Sequence, residues 1–378
     1  MNKKEINEIK KLFTKEHCAV TRLAACYVDG DKNKRTTLKQ AFLSLPEEEA
    51  FKYFTIFRGT MSGTLGKNML NMEFPTDQEL GEGTQTFLLK LRDSELKDDA
   101  LIDAFYDKVI EDYGSLENYY IILIHGAYDI PCKTSDNQDL EDASEDVYNF
   151  ILCSICPVKR SKAVLCYNEA TNAIENRLQD WIVDMPAHGF LFPAFNDRNT
   201  DIHSLLYYTK NSEKMQTDFI DKLLGCYIPM SYKSQQESFQ TLVEDTLGEA
   251  CDFEAVMNIH ENLMELVEEK KEEPEPVALD KGAMKHLLEV SGVKEDTIKE
   301  LDTTYEAAAP KETPILASNV VQKRAFEIET PDVSIRVKPD KTYLVENKVI
   351  EGRSYIMIEA TDDVTLNGIR VRTLLPEE

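Results

Sequence analysis

The sequence has no long apolar run, and this absence excludes proteins that cross a membrane as helices. Although 42% of the 378 residues are hydrophobic, no stretch approaches the roughly 18 to 20 apolar residues that a membrane-spanning helix needs. Residues 1–13 carry several charges and are followed by no small-residue cleavage site, so they do not resemble a secretory signal peptide. We therefore expect a soluble, cytoplasmic protein without a membrane partner.

Cysteine is present, but it lacks the spacing of a disulfide framework or a zinc site. The eight cysteines are scattered between positions 18 and 251. In a chain of this length without an export signal, such cysteines are usually reduced thiols. The single CxxC pair, Cys153 and Cys156, has no second pair to complete a zinc site, and on a strand its two members would point to opposite faces. The sequence predicts neither disulfides nor a cofactor.

Two loops resemble ligand-binding motifs but lack residues that those motifs require. The segment 63–68 contains the Gly-Lys pair of a phosphate-binding loop, but Asn68 stands where a Ser or Thr would bind magnesium. The segment 29–40 begins like a calcium loop but ends on Gln40 instead of a bidentate glutamate. We interpret both segments as loops without a bound ligand.

Basic charge is scarce, and the part of the chain that is richest in it is the beginning. The formal net charge is −26. Residues 1–40 contain ten Lys and Arg against five Asp and Glu, whereas residues 41–317 contain 24 against 53. An acidic body repels the phosphates of nucleic acids and keeps a protein soluble. Any contact with phosphate should therefore involve the basic first segment.

The most strongly patterned stretch extends from Trp181 to Cys226. Two apolar, aromatic-rich runs, 190–195 and 202–208, flank a polar turn at 196–200, which is typical of a hairpin. An amphipathic helix is predicted from about Ser212 to Leu224, before Gly225. This segment therefore predicts a core hairpin that is followed by a packed helix.

The remaining periodicity predicts an α+β fold with a mixed or antiparallel sheet and flanking helices. The apolar run Tyr119–Tyr128 is typical of a central strand, and the core hairpin and strands near 148–158 and 163–168 bring the sheet to about five strands. A further strand is predicted near 18–28, and residues 58–83 and 131–146 are predicted to be irregular. Helices are predicted near residues 3–15, 44–57, 84–92, 95–112, 234–247 and 253–271. For the second of these, Ser44 and Glu47 suggest a capping box.

Changes in composition predict four parts. Residues 1–270 form the main α+β domain, and the charged, Pro-bearing segment 271–279 is an acidic linker. A small helical module is expected at 280–306. The segment 315–378 alternates with period two and carries the turn pairs Glu351-Gly352 and Asn367-Gly368, so it is predicted to be β-rich.

Two groups of residues are candidates for a functional site. Asp197, Asp201 and His203 lie at one end of the predicted core hairpin, where they could meet to hold a metal ion, although aspartate is also a common turn residue. A helix over residues 3–15 would have an apolar side and, opposite to it, the lysines Lys4, Lys11 and Lys15. An exposed lysine face is usually only solvated, but it is also the feature that best suits nucleic acid.

Several segments, from MNKKEINEIKKLF and CYVDGDKNK through FLSLPEEEAFKYF and GFLFPAFNDRNTDIHSLLYYTKN to FEIETPDVSIRV, resemble the bacterial family called domain of unknown function 4317. That family carries no assigned activity and implies no catalytic residues. The segment DFIDKLLGCYIPMSYKSQQESFQTLV is also similar to the Phe-Leu-Gly-Cys helix end of the nucleoid-associated protein family. This second resemblance implies a cytoplasmic, non-enzymatic protein associated with DNA or with DNA-handling partners.

The leading hypothesis is a non-catalytic interaction protein whose partner is DNA or a DNA-associated protein. The acidity of residues 41–317 favours a protein partner over duplex DNA. The alternative is a metal-dependent hydrolase with its site near Asp197, Asp201 and His203. The sequence predicts neither the oligomeric state nor the identity of a substrate or partner.

Overall fold

The structure is a computed structural model, which describes residues 1–79, 81–133, 139–176, 179–308, 314–321, 325–360, 364–366 and 369–371. The chain divides into two compact units. Unit 1 comprises residues 1–234 and 274–276, and unit 2 comprises residues 235–273 and 277–378. Among the described residues, no helix is both long enough and apolar enough to cross a bilayer.

Unit 1 contains helices and most of the long strands. Its helices are α1 (Lys3–Lys11), α2 (Glu47–Thr60), α3 (Thr76–Glu79), α4 (Thr84–Asp93) and α5 (Asp99–Asp112), followed by a π-helix over Phe219–Leu224. Its strands are β1 (Val20–Val28), β2 (Lys34–Ala41), β3 (Met69–Glu73), β4 (Tyr119–Lys133), β5 (Asp139–Arg160), β6 (Leu165–Asn168), β7 (Ala173–Asn176), β8 (Trp181–Val183), β9 (His188–Phe192), β10 (Ala194–Asn196), β11 (Asn199–Asp201) and β12 (Ser204–Thr209).

The main sheet has eight strands, and the pairing of its neighbours is antiparallel. Seven strands follow the order β2-β1-β4-β5-β9-β12-β3, and β8 pairs with the end of β5. The α+β class and the predicted antiparallel sheet are therefore confirmed. The predicted core hairpin is also present, because β9 pairs with β12 and the short strands β10 and β11 form its tip.

Strand β4 is buried on both faces, which explains why its sequence is almost continuously apolar. Ile121 and Leu123 pack into a cluster that includes residues of α4, α5 and the π-helix. Their neighbours Ile122 and Ile124 pack into a second cluster that includes residues of α1 and α2. Successive side chains of a strand point to opposite faces of the sheet. The two clusters therefore lie on opposite faces, and helices cover the sheet on each side. Full burial of such a side chain contributes roughly 2 kcal/mol.

The predicted strands differ from the observed ones in three segments. The stretch 58–83, predicted to be irregular, contains β3, and the stretch 131–146, predicted to be a loop, contains the end of β4 and the start of β5. Strand β6 forms within 163–168, but it pairs with β7 instead of joining the main sheet. The β6–β7 pair alternates only between exposed and half-buried residues, so it has no fully buried face.

The predicted starts of α2 and of the helix before Gly225 are wrong. The side chain of Ser44 does not cap α2, because its hydroxyl donates to the carbonyl oxygen of Ala41 at 2.6 Å and Pro46 occupies the N-cap position. Instead of an α-helix from Ser212, the structure has the π-helix at 219–224. Gly225 ends it in the left-handed conformation, with φ of 67°, as predicted for the helix end.

Unit 2 combines a helical core with a tail of two-stranded hairpins. Helix α6 (Tyr232–Leu247) begins at the end of unit 1, and the following helices are α7 (Phe253–Glu269), α8 (Lys281–Val290), α9 (Glu295–Ile298), α10 (Leu301–Ala308) and α11 (Ala317–Val320). The strands are β13 (Ala278–Leu279), β14 (Ile315–Leu316), β15 (Phe326–Glu329), β16 (Ser334–Val337), β17 (Val345–Ile350), β18 (Arg353–Ile358), β19 (Val364–Leu366) and β20 (Ile369–Val371). Each odd-numbered strand here pairs with the next even-numbered one.

The β-rich tail and one of its predicted turns are confirmed. Glu351 and Gly352 connect β17 to β18 with φ angles of 50° and 75°, which is the geometry of a type I′ hairpin turn. The other predicted turn, Asn367-Gly368, lies outside the described residues. The four-part division with its boundary at 270 stays a prediction, because compact packing units and independently folding domains are different properties.

Candidate functional site

The turn between β10 and β11 holds helix α1 in place. Asp197 and Arg198 have left-handed backbone conformations in this turn. The backbone N–H of Asp197 donates to Oε1 of Glu5 at 2.7 Å, and Nη2 of Arg198 lies 3.1 Å from Oε1 of Glu8. The position that was predicted to bind a metal therefore contacts α1 through its backbone.

The two other predicted metal ligands have hydrogen-bond partners of their own. The carboxylate of Asp201 accepts hydrogen bonds from Nδ2 of Asn196 at 2.6 Å, from the hydroxyl of Ser204, and from the backbone N–H of His203 at 3.0 Å. Burial opposes the ionised form, but these hydrogen bonds hold the pKa of Asp201 below its usual value.

His203 is paired with a carboxylate outside the predicted set. Its Nδ1 lies 2.7 Å from Oε1 of Glu79, and this hydrogen bond raises the pKa of the exposed histidine. Across the part of the chain that the structure describes, no group of three or more His, Cys, Asp and Glu side chains is placed to hold a metal ion. The structure thus brings Asp201 and His203 near each other without assembling them and Asp197 into a ligand set.

The three predicted phosphate-binding lysines do not share one helix face. Lys4 and Lys11 are exposed on α1, but the helix ends at Lys11 instead of continuing to residue 15. Lys15 lies beyond that end, and its Nζ is 2.8 Å from Oε1 of Glu47. The hydrogen bond to Glu47 raises the pKa of Lys15. One of the three cations is therefore already paired with a carboxylate.

A cleft between α2 and β8 in unit 1 has a volume of about 710 Å³. We call it the α2–β8 cleft. Its lining combines basic, aromatic and aliphatic side chains, namely Glu49, Lys52, Tyr53, Thr55, Ile56, Tyr120, Lys159, Arg160, Ser161, Lys162, Ile182, Val183, Asp184 and Met185.

The cleft forms because α2 approaches the segment that follows β8. An ideal Cβ placed on Gly59 would lie 2.5 Å from Cε of Met185 and 3.3 Å from Cδ of Pro186, so the two segments are in close contact here. On the other side, β8 pairs with the last residues of β5, with Ile182 opposite Lys159 and Trp181 opposite Arg160. This pairing places the basic residues at the end of β5 next to the apolar residues of β8.

The interior of the cleft contains a pair of tyrosines. The hydroxyls of Tyr53 and Tyr120 are 3.1 Å apart, and burial raises the pKa of both, so both are neutral hydrogen-bonding groups near pH 7. Ile182, Val183 and Met185 are exposed by 46, 41 and 39%, respectively. Apolar surface of this extent, together with a few hydrogen-bonding groups, is typical of a binding surface.

The cleft concentrates positive charge on an acidic chain. Four of its lining residues are cations and two are carboxylates, whereas the chain as a whole has a net charge of −26. Lys159 lies 3.7 Å from Glu117, and the guanidinium of Arg160 is 5.1 Å from the ring centroid of Trp181. Arg160 and Trp181 therefore form a cation–π pair beside the cleft.

Comparison with known proteins then places the chain in a family. The family model described as Domain of unknown function (DUF4317) matches residues 1–369. The chain belongs to this family. No curated protein matches it.

Family membership confirms the first resemblance that the sequence suggested. The similarity to nucleoid-associated proteins stays a prediction, since the match to the DUF4317 family does not bear on it. The α2–β8 cleft of this DUF4317 chain was missed by sequence reasoning. The basic run Lys159–Lys162, which separates the strands predicted near 148–158 and 163–168, was the available signal, but nothing in the sequence connected it with α2.

The CxxC pair of this DUF4317 chain is buried in two different cores. Cys153 packs in the cluster on one face of the main sheet, and Cys156 packs in the cluster on the other. Burial raises the pKa of both thiols, so both stay protonated and unreactive near neutral pH. The predicted orientation of the pair toward opposite faces is confirmed.

Proposed function

We propose that this DUF4317 protein is a non-catalytic interaction protein that binds an acidic segment of a partner protein in the α2–β8 cleft. The observation that carries the proposal is the clustering of four cations around an apolar cleft on a chain with net charge −26. Complementary charge steers partners toward such a surface and selects among them.

The composition of the cleft favours a peptide that carries both acidic and apolar side chains. Lys52, Lys159, Arg160 and Lys162 offer partners for carboxylates, and Arg160 offers the planar geometry that pairs with them best. The exposed aliphatic side chains of β8 offer a surface for leucine or similar residues of the partner.

The same lining favours binding over catalysis. It contains a serine but no histidine or cysteine, and the hydroxyl oxygen of Ser161 accepts a hydrogen bond from the backbone N–H of Asp180 at 3.1 Å. This hydrogen bond therefore joins the Ser161 hydroxyl to the backbone and not to a general base. The hydrolase alternative has less support, because the hydrogen bonds of Asp201 and His203 occupy those side chains.

Direct DNA binding through Lys4, Lys11 and Lys15 also has less support than a protein partner. Two exposed lysines and one paired lysine on an acidic chain give little attraction for a phosphate backbone. Association with the nucleoid, if it occurs, would then depend on a DNA-associated protein that presents the acidic segment. The cytoplasmic location expected from the sequence is part of this proposal.

The single tryptophan of the chain provides a direct test. Trp181 is 51% exposed and lies beside the cleft, so its fluorescence should report on occupancy. The full chain is titrated with a short, Trp-free peptide that alternates glutamate with leucine, and with a matched peptide in which lysine replaces glutamate. We expect a saturable change in emission with the acidic peptide alone, which weakens as salt is added.

Two triple variants with the same change in charge locate the binding surface. In K159E/R160E/K162E, binding should weaken by at least about tenfold, because the cleft reverses its charge. In K4E/K11E/K15E, it should be unchanged. Equal binding by the wild type and the cleft variant would overturn the proposal. Salt-sensitive binding of duplex DNA that is lost only in K4E/K11E/K15E would support the nucleoid hypothesis instead.

A further inference from the structure

Unit 2 contains a second cavity, whose charged lining residues are acidic where those of the α2–β8 cleft are mostly basic. It has a volume of about 430 Å³ and lies between α6, α7 and β15, which is within the range of sites for small molecules. Apolar side chains form much of its surface, including Phe239, Val243, Ile259, Leu263 and Phe326. We call it the His260 pocket, after the residue discussed next.

His260 lines this cavity and carries a buried polar atom without a partner. Its Nε2 is buried and has no hydrogen-bond partner among the described residues. The imidazole ring packs against Phe326, with ring centroids 5.1 Å apart. A buried nitrogen without a hydrogen-bond partner is unfavourable, so a ligand that reaches it and supplies a hydrogen bond would remove that penalty. Burial lowers the pKa of His260, so the imidazole is neutral near pH 7.

Among the described residues that line the pocket, the charged groups all have the same sign, namely Glu244, Glu327 and Glu329. Within the described part of the chain, Glu327 forms an ion pair, since its Oε1 lies 3.1 Å from Nε of Arg336. Carboxylates at the edge of an apolar cavity attract a cation, and the rings of His260 and Phe326 can pack against an aromatic or aliphatic body.

We infer that the His260 pocket binds a small organic cation, namely an amine with an apolar body. The ammonium group would face the glutamates, the apolar body would occupy the space beside Phe239 and Phe326, and Nε2 of His260 would take part in a hydrogen bond with the ligand. This inference is independent of the function proposed for the α2–β8 cleft, and it predicts the opposite charge preference.

A pair of probes with one body and opposite charges tests the inference. Phenethylamine and phenylacetate are titrated into the full chain, with the histidine ring signals observed by NMR and the affinity measured by calorimetry. Phenethylamine should shift the His260 signal and bind in a saturable way, and phenylacetate should leave that signal unchanged. Equal shifts with both probes, or no shift with either, would overturn the assignment.

Variants identify the groups responsible. His260→Phe removes the nitrogen and should weaken phenethylamine binding by at least about tenfold. Glu244→Gln, an exposed change that should not disturb folding, should weaken it by about threefold or more. His286→Phe is the matched control, because His286 is an exposed histidine of the same unit, and it should bind like the wild type. Unchanged affinity in both His260→Phe and Glu244→Gln would exclude this pocket as the site.

Discussion

Strands β4 and β18 are both rich in apolar residues, yet their surroundings differ completely. The residues Ile121–Ile124 of β4 are 0% exposed, because β1 and β5 flank the strand and helices cover both faces. Every residue of β18 is exposed, and β17 is its only paired strand among the described residues. The comparison shows that apolar content specifies a strand but not its burial, which depends on the partners that the rest of the chain provides. An isolated two-stranded hairpin is only marginally stable in water.

Replacement of one apolar residue in the core around β4 and of one in β18 gives the largest predicted difference in stability. Phe57 of α2 is fully buried, and its ring centroid lies 5.6 Å from that of Phe13. Phe57→Ala should lower the free energy of unfolding by about 3–5 kcal/mol. Ile356→Ala in β18 should lower it by about 0.5 kcal/mol or less, as for most surface positions. Urea denaturation monitored by circular dichroism measures both values.

A decrease of more than about 2 kcal/mol in the free energy of unfolding for Ile356→Ala would contradict the view that β18 lies outside a core. It would mean that the hairpin is covered in solution by a surface that makes β18 part of a core. A matched substitution at Ile122, which lies on β4, serves as the control and should behave like Phe57→Ala.

Acid should lower the free energy of unfolding of unit 1, and so reduce the difference in stability between the core around β4 and the β18 hairpin. Nδ1 of His188 accepts a hydrogen bond from Tyr113 at 2.8 Å, and Nε2 donates to the carbonyl of Lys214 at 3.0 Å. Burial lowers the pKa of His188 to about 4. In the unfolded chain this histidine binds its proton at about pH 6.5, so the stability of the fold does not suffer from its titration above that pH. As pH falls from about 6.5 toward 4, the unfolded chain is protonated before the folded one, and the free energy of unfolding falls by roughly 3 kcal/mol.

The measurement is urea denaturation of the wild type and of His188→Gln between pH 7.5 and 4. The many carboxylates titrate in both proteins, so the difference between the two curves isolates the histidine. The wild type should lose more stability than the variant over this range. Parallel curves would show that His188 is not the group responsible. The tail, residues 325–360, contains no histidine. The stability of its hairpins should therefore not differ between the wild type and His188→Gln over this pH range.

The difference between the two regions also marks how far the sequence could predict the fold. Strand β4, helix α5 and the turn at Glu351-Gly352 follow from local pattern, because each is determined by residues that are close in sequence. Strand β3 was missed, since Met69–Glu73 is short and becomes a strand through its pairing with β12, which lies far along the chain. Likewise, Ser44 had an alternative local hydrogen bond that the capping motif does not reveal.

The candidate site was less predictable than the fold for the same reason. Tyr53 and Tyr120 lie on α2 and β4, and Lys159 lies at the end of β5, so only the assembled sheet brings them together. The predicted metal ligands Asp197, Asp201 and His203 are close in sequence. Short sequence separation made them conspicuous, but it does not determine which atoms point toward one another.

The smallest predicted effect is a gain in stability of the β17–β18 hairpin, with no change in the stability of unit 1. Glu351 has φ of 50° and Gly352 has φ of 75° in the turn between β17 and β18. Asparagine tolerates this left-handed conformation better than glutamate, and Asn-Gly is a preferred type I′ pair. Glu351→Asn should therefore stabilise the hairpin by roughly 0.5 kcal/mol, which corresponds to about twofold slower amide exchange in β17 and β18.

Hydrogen exchange followed by NMR can resolve an effect of this size for each amide. Glu359→Asn makes the same change in charge at an exposed position outside the turn, so it should leave the exchange rates of the hairpin unaltered. If Glu351→Asn also slowed exchange in β4 and β5, the tail and the main sheet would open together in one cooperative transition. The strands β4 and β18 would then differ in their exposure to solvent but not in their stability. If the effect stays within β17 and β18, the hairpin opens independently and its marginal stability is local.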